Sequence, residues 1–199
     1  MSDRSSREAD PLLDRNYLER RGNVTVLLVE RGARDVEHLH GTLFDHLLRT
    51  EGLLLAWDCP RTVALAGLCH AAYGTDGFPT ALLTRDERGL LAKVAGDDVE
   101  ELVYFYASCD RGFLYPNLVN HSSTYSFRDR FTKEVSLSVT KQLGDFVDLT
   151  LANEFDVGTF GAPSRTPPEW LVKMSNAFGY LASESLRQHL EESLSELSG

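Results

Sequence analysis

Apolar residues recur along most of this chain at helical spacing, and four stretches carry the pattern firmly. Two short apolar segments come first, 11–21 and 23–30; the β-branched run VTVLLVE in the second suits either a helix or a minor strand near Val24. Thr42 then reads as an N-cap, followed by Leu43, His46, Leu47, Thr50, Leu54 and Trp57 on one helical face. Asp58 and Pro60 interrupt, and a second helix is expected over Arg61–Tyr73, ending near Gly74. It is apolar nearly all round and rich in Ala and Gly, as a helix in the middle of a bundle would be.

Two capping boxes follow, Thr84 with Glu87 and Asp97 with Glu100. They predict one helix ending at Gly96 and another running through Ser108. From Cys109 to Lys133 the residues are Gly, Pro, Asn, Ser and aromatics without a sustained period, which predicts a long loop suited to cover a site. A long helix is expected over Leu137–Phe155. After a connector, Thr166-Pro167-Pro168-Glu169 starts a last amphipathic stretch, Trp170–Leu197, broken near Gly179. The expectation is an all-α helical bundle: a polar tail over 1–10, a helical domain over 11–160 and a helical extension over 161–199 packing on it.

Composition narrows the function. With 20 basic and 30 acidic residues the net charge is −10, which disfavours nucleic-acid backbones as partners but leaves room for a small anionic substrate in a local pocket. No apolar run reaches the ~18 residues of a membrane span, and the N-terminus MSDRSSREAD has no signal-like apolar core. Three cysteines without C-x-x-C spacing fit reduced thiols, so a cytoplasmic setting is expected. Nucleophile-elbow, zincin, phosphate-loop and dinucleotide motifs are missing from the sequence.

Of the six histidines, His46 and His70 sit on inward faces of consecutive helices, 24 residues apart, where they can meet across a helical hairpin. Imidazoles on facing helices of a bundle core are a common basis for metal sites. On the helix Leu137–Phe155 the apolar face is Leu143, Phe146, Val147, Thr150 and Leu151. Asp145 and Asp148 then fall on the solvated side, Asn153 on the edge of the apolar face, and Glu154 near its centre. A carboxylate there needs a partner or a cation. The simpler readings are satisfied core histidines, and a helix-end Asn and Glu with the Glu ion-paired to an arginine.

The runs Asp45-His46-Leu47, LAGLCHAAYGT around His70, and Leu151-Ala152-Asn153-Glu154-Phe155 together resemble the HD-domain superfamily over about residues 23–156. They look most like a degenerate bacterial branch sharing T-L-x-x-H-L, A-G-L-x-H-x-x-Y-G-T and A-N-E. The resemblance implies an all-helical, metal-dependent fold with phosphohydrolases and a smaller group of di-iron oxygenases. His46 matches the early histidine, His70 the histidine of the His-Asp pair, and Asn153 the late aspartate. The aspartate of the pair is Ala71 here, so two carboxylates of the pattern are missing. The implied ligands are His46, His70, Asn153 and Glu154, with His38, His40 or Asp76 as further donors for iron, manganese or zinc.

His46, His70 and Glu154 are the catalytic candidates; Tyr73, Thr75, Arg128, Arg130 and Asn153 are the substrate-binding ones. Arginine's planar fork suits an anion in the run YSFRDRFT, although a solvated charged loop explains it equally, and Tyr73–Gly77 also reads as a plain turn. Cys69 beside His70 fits inert packing better than a nucleophile. The expected function is a metal-dependent enzyme on a small anionic metabolite, hydrolase before oxygenase. The alternative is a domain that lost its metal and binds a small molecule or a protein. The apolar stripe of the C-terminal helix also suits a homodimer surface.

Overall fold

A computed structural model describes residues 11–119, 124–162 and 166–198. The expected polar tail over 1–10, and His121, lie outside the described residues. The chain is mostly helical, with two small antiparallel sheets where none was expected beyond a minor strand near Val24.

The two N-terminal segments are one helix, α1 (Pro11–Glu30). Val24, Leu27 and Leu28 are buried while Val26 is exposed, so the β-branched run follows the helical period and takes the helical one of its two open readings. A short hairpin follows, β1 (Glu37–His38) with β2 (Gly41–Thr42), and its turn residue His40 takes φ +58°. Thr42 caps α2 (Leu43–Ala56) as expected: its hydroxyl accepts from the Asp45 N–H at 3.2 Å, and the Asp45 carboxylate accepts the Thr42 N–H at 3.1 Å. The following helix, α3 (Arg61–Cys69), is shorter than expected, and residues 70–73 form a turn. Gly67 lets α2 and α3 approach closely, since a Cβ there would stand 2.5 Å from Leu54 Cδ1.

The Thr84–Glu87 box forms and leads through a 3₁₀ turn into α4 (Arg88–Ala95). The Asp97–Glu100 box does not form. Gly96 caps α5 (Asp97–Ser108), and Glu100 turns inward to take both Nε and Nη2 of Arg88, at 2.6 and 2.7 Å. A buried carboxylate gains more from a guanidinium fork than from one backbone N–H.

Where a loop was expected over 109–133, the described residues form elements. These are α6 (Arg111–Leu118), capped by Asp110, and the strand β3 (Thr124–Arg128), which pairs with β4 (Val135–Val139) in the register Thr124↔Val139 to Arg128↔Val135. Tyr125 and Phe127 alternate inward, and Phe127 stacks on Phe105 of α5 at 4.2 Å. Leu137 therefore belongs to a strand, and α7 spans Thr140–Thr159, four residues further than expected at its end. Beyond it, α8 (Glu169–Phe178) and α9 (Glu184–Ser198) flank a 3₁₀ turn at Gly179, where the break was expected. Phe178, Leu181, Leu186 and Leu190 join the same core. They cover α7, so Asp148 is buried rather than solvated, and it accepts the Ser183 N–H at 2.8 Å. Asp145 is half-buried. Among the described residues no helix is long and apolar enough to cross a membrane.

Candidate functional site

Three carboxylates in this core are each held by an arginine fork and one further donor. Glu51 takes Nε and Nη2 of Arg21 and the Tyr17 hydroxyl; Glu100 takes the same fork of Arg88 and the Tyr73 hydroxyl. Asp156 takes Arg49 Nε at 2.7 Å and Nη2 at 3.0 Å. Its third donor is Nδ1 of His46, at 2.7 Å. The first two clusters end in phenols and tie helices together. The third ends in an imidazole whose opposite nitrogen faces a cavity.

The capping box starts α2 so that His46 lies one turn in, facing α3 and α7. His46 Nε2 lies 3.3 Å from His70 Nε2 and 3.0 Å from Asn153 Oδ1. The protons on the far side of each group are fixed by their partners. Nδ1 of His46 meets the Asp156 carboxylate, which can only accept, and Nδ1 of His70 meets the Gly67 carbonyl at 2.8 Å. The Asn153 amide gives its N–H to Glu154 Oε1 at 3.1 Å, which turns Oδ1 toward His46. Burial, with His46 alongside, pushes the His70 pKa down to about 3, so its Nε2 is a bare lone pair. Burial alone would raise the Asp156 carboxyl, but the hydrogen bonds from His46 and Arg49 outweigh it and hold it below the ordinary range.

With His46 neutral, three acceptors converge and no proton lies between them. A cation between them would reconcile that arrangement, either a metal ion or a proton shared with His46 Nε2. The donor set, two imidazole nitrogens and one amide oxygen, fits a borderline divalent ion with positions left open. Among the described residues no three His, Cys, Asp or Glu side chains group as a metal site, and the third group facing His46 and His70 is the neutral Asn153.

The cavity beside these groups has a volume of about 470 Å³ and is lined by His38, Ala71, Thr75, Arg111, Asn153 and Glu154 among others. His38 stacks on His46 with ring centroids 4.3 Å apart, and its buried Nδ1 has no partner. Arg111 gives Nη1 to Glu154 at 3.3 Å and Nη2 to the Tyr106 hydroxyl at 2.9 Å.

The structure thus brings together His46, His70, Asn153, Glu154, His38 and Thr75. It does not bring in the other candidates. His40 packs on Phe160 and Gly161, and Asp76 accepts the Arg111 backbone N–H. Tyr73 turns to Glu100, Arg128 pairs with Asp110, and Arg130 Nε reaches the Ala107 carbonyl. The guanidinium on the cavity wall is that of Arg111, because α6 stands where a loop was expected. The Cys69 thiol points to the Leu65 carbonyl, and burial pushes its pKa up, which fits inert packing. Sequence reasoning missed Asp156, Arg49 and Arg111. A polar residue three after Asn153, and so on the same helical face, was the available signal for Asp156.

Residues 27–111, less than half of the chain, match a protein family described as a domain of unknown function (DUF6817). The match takes in His46, His70, Arg111 and the helices α2 to α5, but stops short of α7 with Asn153 and Asp156. No curated protein and no solved structure matches the chain.

Proposed function

We propose that this chain is an HD-like, divalent-metal-dependent hydrolase of a small anionic metabolite, with His46, His70 and Asn153 as the metal-holding residues. The observation that carries the reading is the convergence of three proton-free acceptors at 3.0–3.3 Å beside a cavity. A divalent ion held there would polarise a substrate oxygen and bring the pKa of a bound water toward neutrality. Asp156, clamped by Arg49, fixes the His46 tautomer and ring plane, as carboxylates behind metal-binding histidines do. Of the carboxylates on the cavity wall, Glu37 and Glu154, it is Glu154 that is hydrogen-bonded to Asn153 and so suited to take a proton from water, and Arg111 supplies the positive charge an anionic substrate needs. Three converging donors suit one ion better than the two irons of an oxygenase.

A second reading keeps the pocket without the ion. The donor set carries no negative charge, and Glu154 is already engaged by Arg111, so a proton on His46 Nε2 balances the site in a pure binding module. Metal analysis of protein purified without an affinity tag separates the two. The enzyme reading expects near-stoichiometric iron, manganese or zinc, lost in both His46→Ala and His70→Ala. Protein that is metal-free and no less stable than after metal addition would leave the binding module.

A further inference from the structure

Arg111 is held unlike the other arginines that meet core carboxylates. Arg21, Arg49 and Arg88 each give the Nε and Nη2 edge to one carboxylate at 2.6–3.0 Å. Arg111 meets Glu154 through Nη1 alone, at 3.3 Å, and its buried Nε has no acceptor. Both residues line the cavity, and Gly77 sets no side chain against the Nη1 end, where a Cβ would lie in van der Waals contact at 3.6 Å. The guanidinium is meanwhile anchored from behind by the Tyr106 hydroxyl at 2.9 Å. Glu154 does not depend on Arg111, because the Asn153 amide donates to the same oxygen at 3.1 Å.

We propose that Glu154 is a resident stand-in for a substrate oxyanion, a terminal phosphate or carboxylate, which displaces it from Arg111 on binding. A multidentate oxyanion offers the guanidinium more than the one long carboxylate contact it now has. The exchange leaves Glu154 hydrogen-bonded to Asn153 and otherwise free to face the cavity. It also places the anion on the wall of the cavity that His46 and Asn153 line, beside the Glu154 that Asn153 still holds. This rests on the hydrolase reading for its purpose, not for its chemistry, since the anion site needs no metal.

The test uses chelator-treated full-length protein, so that no added anion can bind through a metal ion. It is titrated with inorganic phosphate and, separately, with acetate, against chloride at matched ionic strength. Phosphate or acetate should bind saturably, and whichever binds more tightly names the oxyanion. Glu154→Gln removes the competing charge and should tighten binding about five- to tenfold. Arg111→Lys keeps the charge without the fork and should weaken it at least tenfold; far-ultraviolet circular dichroism checks that it folds. Binding that is unchanged or weaker in folded Glu154→Gln, or no binding by either anion, would overturn the proposal. Metal content, measured separately, judges the hydrolase reading.

Discussion

The Nε2 atoms of His46 and His70 face each other at 3.3 Å, and each ring carries its fixed proton on the far side, against Asp156 and Gly67. Two lone pairs at that distance repel unless something positive stands between them. The fold therefore holds an electrostatic demand at its centre, and the surrounding clamps keep the rings from turning away from it.

Asp156→Asn tests the clamp. The amide keeps the size but no longer insists on an N–H from His46, so the ring can flip its tautomer and turn Nε2–H toward His70. Affinity for added zinc or manganese should fall ten- to a hundredfold, the range expected for a lost carboxylate behind a metal-bound histidine. Calorimetric titration reads it. Unchanged affinity would mean that the Asp156–His46 contact is structural only.

Much of this site was legible from pattern. His46 lies on the apolar face of its helix and His70 at the end of one that is apolar nearly all round, which predicts both inward, and both are buried. The remainder failed for identifiable reasons. Pro116 and Gly112 argue against a helix over 111–118, yet Asp110 caps it and Leu114 and Leu118 bury one face, so α6 forms and delivers Arg111. Ending α7 at Phe155 cut off Asp156 by one residue. Glu100 was read as a cap because local spacing cannot show that Arg88 and Tyr73 wait for it across the core.

Gly67→Val should strain the hairpin that carries both histidines. A Cβ would meet Leu54 Cδ1 at 2.5 Å and the Glu51 backbone at 3.6 Å, and the added methyls leave α2 and α3 no choice but to separate. A loss of about 1–3 kcal/mol is expected in urea unfolding, with weaker metal affinity alongside it. Gly67→Ala should be milder, because the nearest atom is the end of a flexible side chain. Equal losses in both would place the cause in the backbone instead of the helix contact.

Asp148 gives a pH dependence remote from the histidines. Burial between α7 and the turn before α9 pushes its pKa up to about 6, partly offset by the Ser183 N–H, while Asp145 adds to the rise. The folded state therefore holds this proton more tightly than the unfolded chain. Its contribution to stability is greatest below about pH 4 and is lost as pH rises through about 6. Asp148→Asn keeps an acceptor for Ser183 and removes the charge. Relative to wild type it should be more stable at pH 7.5 than at pH 4.5, with a difference of at most about 3 kcal/mol. Parallel melting curves for the two proteins would show the group to be solvated.

The strongest test restores two carboxylates. Ala71 and Asn153 both line the cavity and both are buried, so aspartates at these positions would reach one space. If the site has lost a metal for want of negative charge, Ala71→Asp with Asn153→Asp should create or strongly tighten metal binding, because the imidazoles already face one another. Metal-free, the same protein should be less stable by about 1–3 kcal/mol for each buried acid without a partner. If the native site is already complete through Glu154, the added charges overfill it: metal content stays level and any hydrolytic activity falls. Titration of both proteins with zinc and manganese, beside urea unfolding, separates these outcomes. A double variant that binds no metal and unfolds like wild type would show that the cavity neither needs nor notices a metal ion, and the binding-module reading would then stand.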